Sequence, residues 1–171
     1  MPLAEELLDH ASRLLKSPAT EADVRRAVSA SYYAVFHLIA AAVATQASPA
    51  SPPGLSGRIQ RVLEHRAMKN AMESFRTQDS CAKLSANIGI PCAFSFDLAE
   101  IAKAYGELQD ARHLADYDVI DTNGTVGLAW ASDCFEKARR IFAAWERTRT
   151  SDEARLFLAA LIFGAKWAKQ S

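Results

Sequence analysis

Apolar side chains recur every three to four residues through most of this chain, and nowhere do they alternate in the two-residue rhythm of a half-buried strand. Leu7, Leu8, Ala11, Leu14 and Leu15 mark the inner face of a first helix, Leu3 to Lys16, which Ser17-Pro18 ends. Thr20-x-x-Asp23 is a capping box that opens a second helix running to about Thr45. The Ser/Pro-rich stretch Ser48 to Gly54 is a loop, and a third helix follows from Ser56 to Phe75. Residues 76–96 read as irregular, with Gly89 and Pro91 as breakers. Asp97-x-x-Glu100 caps a fourth helix, Asn123-Gly124 marks a turn, and a fifth helix runs from Val126 to Thr148. Thr150-x-x-Glu153 caps a sixth, ending near Lys169. The pattern predicts an all-α, up-and-down bundle of five to six helices. It forms one domain over residues 1–171, with a core at 4–149 and an additional C-terminal helix at 152–169.

Half of the residues are hydrophobic, which suits a packed helical core, and the formal net charge is zero. Nothing global therefore draws the chain to nucleic acid or to an anionic membrane. Charge is uneven locally. Seven carboxylates stand against two bases between Asp97 and Asp121, and six bases against three carboxylates between Arg58 and Lys83. Such blocks are ordinary solvated faces unless the fold brings them together. Three cysteines without a CxxC, and four dispersed histidines, predict a reduced, cytoplasmic protein with no metal site and no cofactor. Glu5, Glu6 and Asp9 rule out a signal peptide. The apolar run Leu156 to Ala165 is half the about 20 residues that a membrane span requires, so it reads as a buried helix, and no membrane partner is expected.

The second helix has two faces. Val28, Tyr32, Val35, Ile39 and Val43 form an ordinary core stripe, while Arg26, Ser29, Tyr33 and His37 lie nearly opposite. Alanines fill most of the remaining surface, so the helix belongs in the middle of the bundle, and Arg26, Tyr33 and His37 are expected to be at least partly buried. In the fourth helix, Leu98, Ile101, Tyr105, Leu108 and Ala115 form one stripe, and Arg112 falls in the middle of it. A guanidinium stays charged, so on such a face it needs a partner, and Asp116 one turn later is the nearest. Two readings stay open: an Arg–Asp brace between helices, or an arginine held in a cleft to meet a phosphate.

The run Arg25-Arg26-Ala27-Val28-Ser29-Ala30-Ser31-Tyr32-Tyr33-Ala34-Val35-Phe36-His37-Leu38 resembles the tyrosine-rich second helix of HEPN-superfamily proteins. Arg112-His113-Leu114-Ala115-Asp116-Tyr117-Asp118 resembles their arginine–Ala-Asp-Tyr motif, in the same order and at similar spacing. The resemblance covers Ala4 to Trp145. It implies a helical bundle, often a homodimer, that binds RNA or nucleotides, and in some members a metal-independent ribonuclease of toxin–antitoxin or defence systems. Those nucleases follow the arginine with a histidine four to six residues later, where this chain has Asp116, Tyr117 and Asp118. His113 is rotated about 100° from Arg112 and points elsewhere.

Cleavage of RNA without a metal needs a proton acceptor, a proton donor and a cation on the phosphate. Arg112 with His65 and His37 supplies those chemistries if the fold converges them, with Arg26, Tyr33, Asp116 and Tyr117 as binding residues. The missing histidine favours a binding or interaction module over the nuclease. A purely structural dimeric bundle is the third reading. The resemblance also implies a possible nucleotidyltransferase antitoxin partner, for which Tyr117 is the nearest equivalent of the modified tyrosine.

Overall fold

The structure, a computed structural model, describes residues 2–16, 19–47, 54–118, 120–121 and 124–163. Every regular element among them is helical. They are α1 (Pro2–Leu14), α2 (Glu21–Ala47), α3 (Leu55–Val62), α4 (His65–Met72), α5 (Gln78–Ile88), α6 (Phe96–Tyr117), α7 (Leu128–Thr148) and α8 (Asp152–Phe163). A short 3-10 turn, Glu73–Phe75, follows α4. The all-α class expected from the sequence is present, but the described residues hold eight α-helices rather than five or six.

The two extra helices have specific origins. The single helix expected over 56–75 breaks at Leu63 and Glu64, whose backbones are extended (ψ 115° and 133°). On one continuous helix Ile59 and Met68 would lie on opposite sides. The break re-phases the chain, so that α4 buries Met68, Ala71 and Met72 while α3 buries nothing. Within the stretch read as irregular, residues 78–88 are helical. The Thr77 hydroxyl accepts from the Ser80 amide (3.1 Å) at the start, and Gly89 closes the end in the left-handed region (φ 67°). α5 buries only Cys81 and Leu84.

The caps are mixed in outcome. Thr20 and Asp23 do form the reciprocal box, amide to Oδ2 at 2.9 Å and amide to Oγ1 at 3.2 Å. At α6 the cap is Ser95, whose hydroxyl accepts from the Leu98 amide (3.3 Å), and not Asp97. Asp97 forms a two-pronged ion pair with Arg147, and that hydrogen bonding holds its carboxyl below the usual range. At α8 the cap is Ser151, one residue later than expected, bonding the Ala154 amide at 3.1 Å. The expectations at Ser17-Pro18, over most of the 48–54 loop, at Asn123 and from Gly164 to Lys169 fall outside the described residues.

The chain divides into two compact units, Met1–Leu38 with Ala104–Phe142, and Ile39–Lys103 with Ala143–Ser171. The first has α1, the N-terminal part of α2, the C-terminal part of α6 and most of α7. Its core includes Ala11, Val28, Tyr32, Val35, Tyr105, Leu108, Ala138 and Ile141. Lys137 ties α7 to α6 there, reaching Glu107 (3.1 Å) as well as Asp133 (2.8 Å). In the second unit α4 lies against α8, and Phe157 sits edge-on to Phe75 with Trp145 on its flank. α2 is long and apolar enough to cross a membrane by length and composition alone, but 72% of its apolar window is buried inside the protein.

Phe157 is fully buried. Phe157→Ala is expected to lower the unfolding free energy by about 3–5 kcal/mol, the cost of a large aromatic cavity, as read from urea titration of helicity. A change below about 1 kcal/mol would show that the ring is not a core support.

Candidate functional site

The candidate site lies in the first unit, where α2 and α6 present tyrosines to each other. Tyr32 and Tyr105 are buried with their hydroxyls 3.1 Å apart and their rings 5.6 Å apart. Burial pushes the Tyr32 phenol up to about 12, and burial raises Tyr105 still further, so both stay neutral. This pair sets the helices side by side, and the next residue, Tyr33, turns toward Arg112.

Arg112 is half-buried, as its place in the apolar stripe demands. Its Nη2 donates to the Tyr33 hydroxyl at 2.8 Å. Its Nε lies 2.6 Å from Asp116 Oδ2, an ion-pair contact out of line for a hydrogen bond. The other carboxylate oxygen of Asp116 accepts from the Ser29 hydroxyl at 2.5 Å. The guanidinium carbon also lies 5.4 Å from the ring centres of both Tyr33 and Tyr117. Burial works against the charge, but Tyr33, Asp116 and Tyr117 outweigh it and hold the Arg112 pKa above its ordinary value.

Arg25 performs a task that the sequence reading did not assign. Its Nη1 donates to the carbonyls of Ala115 (3.1 Å) and Asp118 (2.7 Å), with that of Leu114 at 3.5 Å. It thereby caps the C-terminus of α6, where a cation also meets the negative end of the helix dipole. Glu21 holds its Nε at 2.8 Å. Beside this cap an open cleft of about 540 Å³ is lined by His10, Arg25, Arg26, Ser29, Tyr33 and Asp116, with alanines between. Arg26 and His10, both exposed, thus border the cleft, against one carboxylate already engaged with Ser29 and Arg112, while the Arg25 guanidinium is committed to the helix end and Glu21 with its Nη2 buried.

The structure brings together Arg26, Tyr33, Asp116 and, through its contacts to the last two, Arg112. Arg26 is exposed, contrary to the partial burial expected of it, because it stands in the second turn of α2 at the cleft mouth. Tyr117 is 61% exposed at the end of α6, its ring 4.9 Å from that of His113. A second open cleft, about 520 Å³, lies there between Asp110, His113, Leu114, Tyr117 and Asp118. His37 is half-buried on α2 with its ring edge-on to Phe36, and burial lowers its pKa. His65 begins α4 in the second unit. Arg112 has no histidine among its polar partners in the described residues. No three metal-ligating side chains come together among them either. The sequence reading missed His10 and the cap made by Arg25. Arg25 carried a signal in Glu21 four residues earlier, whereas His10 carried none.

Comparison with protein-family models, with curated proteins and with solved structures gives no match in any of the three.

Arg112→Ala removes the guanidinium from beside Asp116 and the Tyr33 hydroxyl in a half-buried setting. It is expected to lower stability by about 1–3 kcal/mol, less than for a fully buried pair because water screens the site. Equal urea midpoints for the two proteins would remove Arg112 as a brace. The depressed His37 pKa has its own consequence. Its contribution to stability is present above the unfolded value near 6.5 and is lost as pH falls through the lower folded value. The acid-side decline of wild-type stability between about pH 7 and pH 5 should therefore be shallower in His37→Gln, and an unchanged slope would contradict it.

Proposed function

We propose that this chain is a HEPN-like helical module that binds the phosphate of RNA or a nucleotide in the α1–α2–α6 cleft without cleaving it. The observation that carries the reading is the cleft itself, lined by the exposed Arg26 and His10 together with Tyr33 and Ser29, while the Arg25 guanidinium is committed to the end of α6 and to Glu21. Arginine forks suit phosphate oxygens. Within this reading Arg112 is a positioning residue. Its partners Tyr33 and Asp116 are themselves cleft walls, so the ion pair fixes the shape of the pocket instead of meeting the phosphate.

The ribonuclease alternative, with Arg112, His37 and His65 as its catalytic residues, asks for a free arginine and a histidine beside it. The engagement of Arg112 by the Asp116 carboxylate and the Tyr33 hydroxyl argues for the binding reading over that one. The exposed guanidinium of Arg26 is the clean handle. Arg26→Ala is expected to weaken binding of a fluorescent short single-stranded RNA about tenfold and to reduce the salt slope of the affinity by about one, with helicity unchanged. In the same samples RNA should stay intact at high protein concentration. Equal affinity in both proteins would sink the cleft as the binding site. Cleavage that Arg112→Ala abolishes would establish the nuclease in its place.

A further inference from the structure

Away from the cleft, in the second unit, two thiols meet. Cys81 is buried on α5, Cys92 is half-buried in the segment after it, and their sulfurs are 3.4 Å apart. The approach is built by the local chain. Gly89 ends α5 with a left-handed residue, which turns the backbone back along the helix. Ser85, one turn after Cys81 on the same face, then fastens the returning strand. Its hydroxyl donates to the Ile90 carbonyl at 2.9 Å and accepts from the Cys92 amide at 3.2 Å. These contacts hold Cys92 over Cys81 within a stretch of chain that lies wholly in one unit.

We propose that Cys81 and Cys92 are a reversible redox pair, oxidised by a low-molecular-weight disulfide to an intramolecular disulfide that staples α5 to the segment after Gly89. The sulfurs need to close from 3.4 Å to about 2.05 Å to form an S–S bond. The more accessible Cys92 loses its proton to solvent, and its thiolate attacks one sulfur of the small disulfide, forming a mixed disulfide and expelling one small thiolate. Cys81 loses its proton and attacks the Cys92 sulfur, forming the intramolecular bond and expelling the second thiolate. Two S–H bonds are lost, one S–S bond forms, and the two electrons reduce the small disulfide to two thiols. Burial, followed by the neighbouring Cys81 and then Glu153, pushes the Cys92 thiol up to about 12, so Cys92 rests as a protonated thiol that exchanges slowly. Cys134 is buried in the other unit and serves as an internal control.

The test equilibrates the whole native protein with glutathione buffers running from reduced to fully oxidised, then alkylates the remaining thiols and maps tryptic peptides. Trypsin cuts after Arg76, Lys83 and Lys103, so the two cysteines fall in different peptides, Thr77–Lys83 and Leu84–Lys103. The expected result is that these peptides appear joined, two hydrogens lighter than their sum, while Cys134 stays alkylated. Ser85→Ala should shift the glutathione ratio at half-oxidation about tenfold toward the oxidised side, in keeping with the loss of its hydrogen bonds. Cys134→Ser should leave the joined peptide unchanged. Separate glutathione adducts, links between two protein molecules, or a joined peptide that forms only in denaturant would each overturn the proposal.

Discussion

A guanidinium cannot give up its charge at any pH a protein survives, so an arginine placed on the apolar stripe of a helix obliges its surroundings to answer it. Arg112 is answered four ways: by the Asp116 carboxylate, by the Tyr33 hydroxyl, and by the ring faces of Tyr33 and Tyr117. Each answer recruits another group. Asp116 keeps its second oxygen satisfied through Ser29 on α2, and Tyr33 is held in place by the edge of Tyr32, which is itself locked to Tyr105. One obligatory charge thus organises the polar side of α2 and the last two turns of α6. It also explains why a helix otherwise filled with alanine and apolar residues spends surface on serine and tyrosine at those particular positions.

The long helices were legible in the sequence, because capping and turn signals mark them locally. α2 and α7 lie within a few residues of the limits read from the sequence, and α6 begins within a residue of the start expected at Asp97. The capping box at Thr20 was legible too, since both of its partners are local. What failed was competition between neighbouring candidates. Ser95 and Ser151 took caps that Asp97 and Thr150 could have taken, and Asp97 was drawn off by Arg147, a partner fifty residues away in sequence. Local pattern does not carry that information. α5 is short and buries only Cys81 and Leu84, and it escaped notice even though Thr77 and Gly89 bracket it with good signals.

The candidate site divides in the same way. Arg112 and Asp116 are one turn apart on one helix, and their pairing could be read from spacing alone. Tyr33 could be placed on the right face of α2, but its bond to Arg112 depends on how that helix packs against α6. Arg26, grouped with Tyr33 by its position on the helix, proved exposed because burial changes along α2 even where the face does not. The histidines show the limit most plainly. His37 and His65 were attractive for their chemistry, whereas His10, which does line the cleft, had no pattern to recommend it.

Arg25 adds a last point. Its guanidinium seals the open carbonyls at the end of α6, is steadied by Glu21, and forms part of the cleft wall. One side chain therefore holds a structural office and a surface office at once, and the two cannot drift apart in descent. Any replacement that retunes the cleft there must also find another donor for the helix end. Arg26 beside it, exposed at the cleft mouth, carries no such second duty. Changes to the cleft lining that leave the end of α6 intact therefore fall to position 26 and its open neighbours, with position 25 as the fixed post.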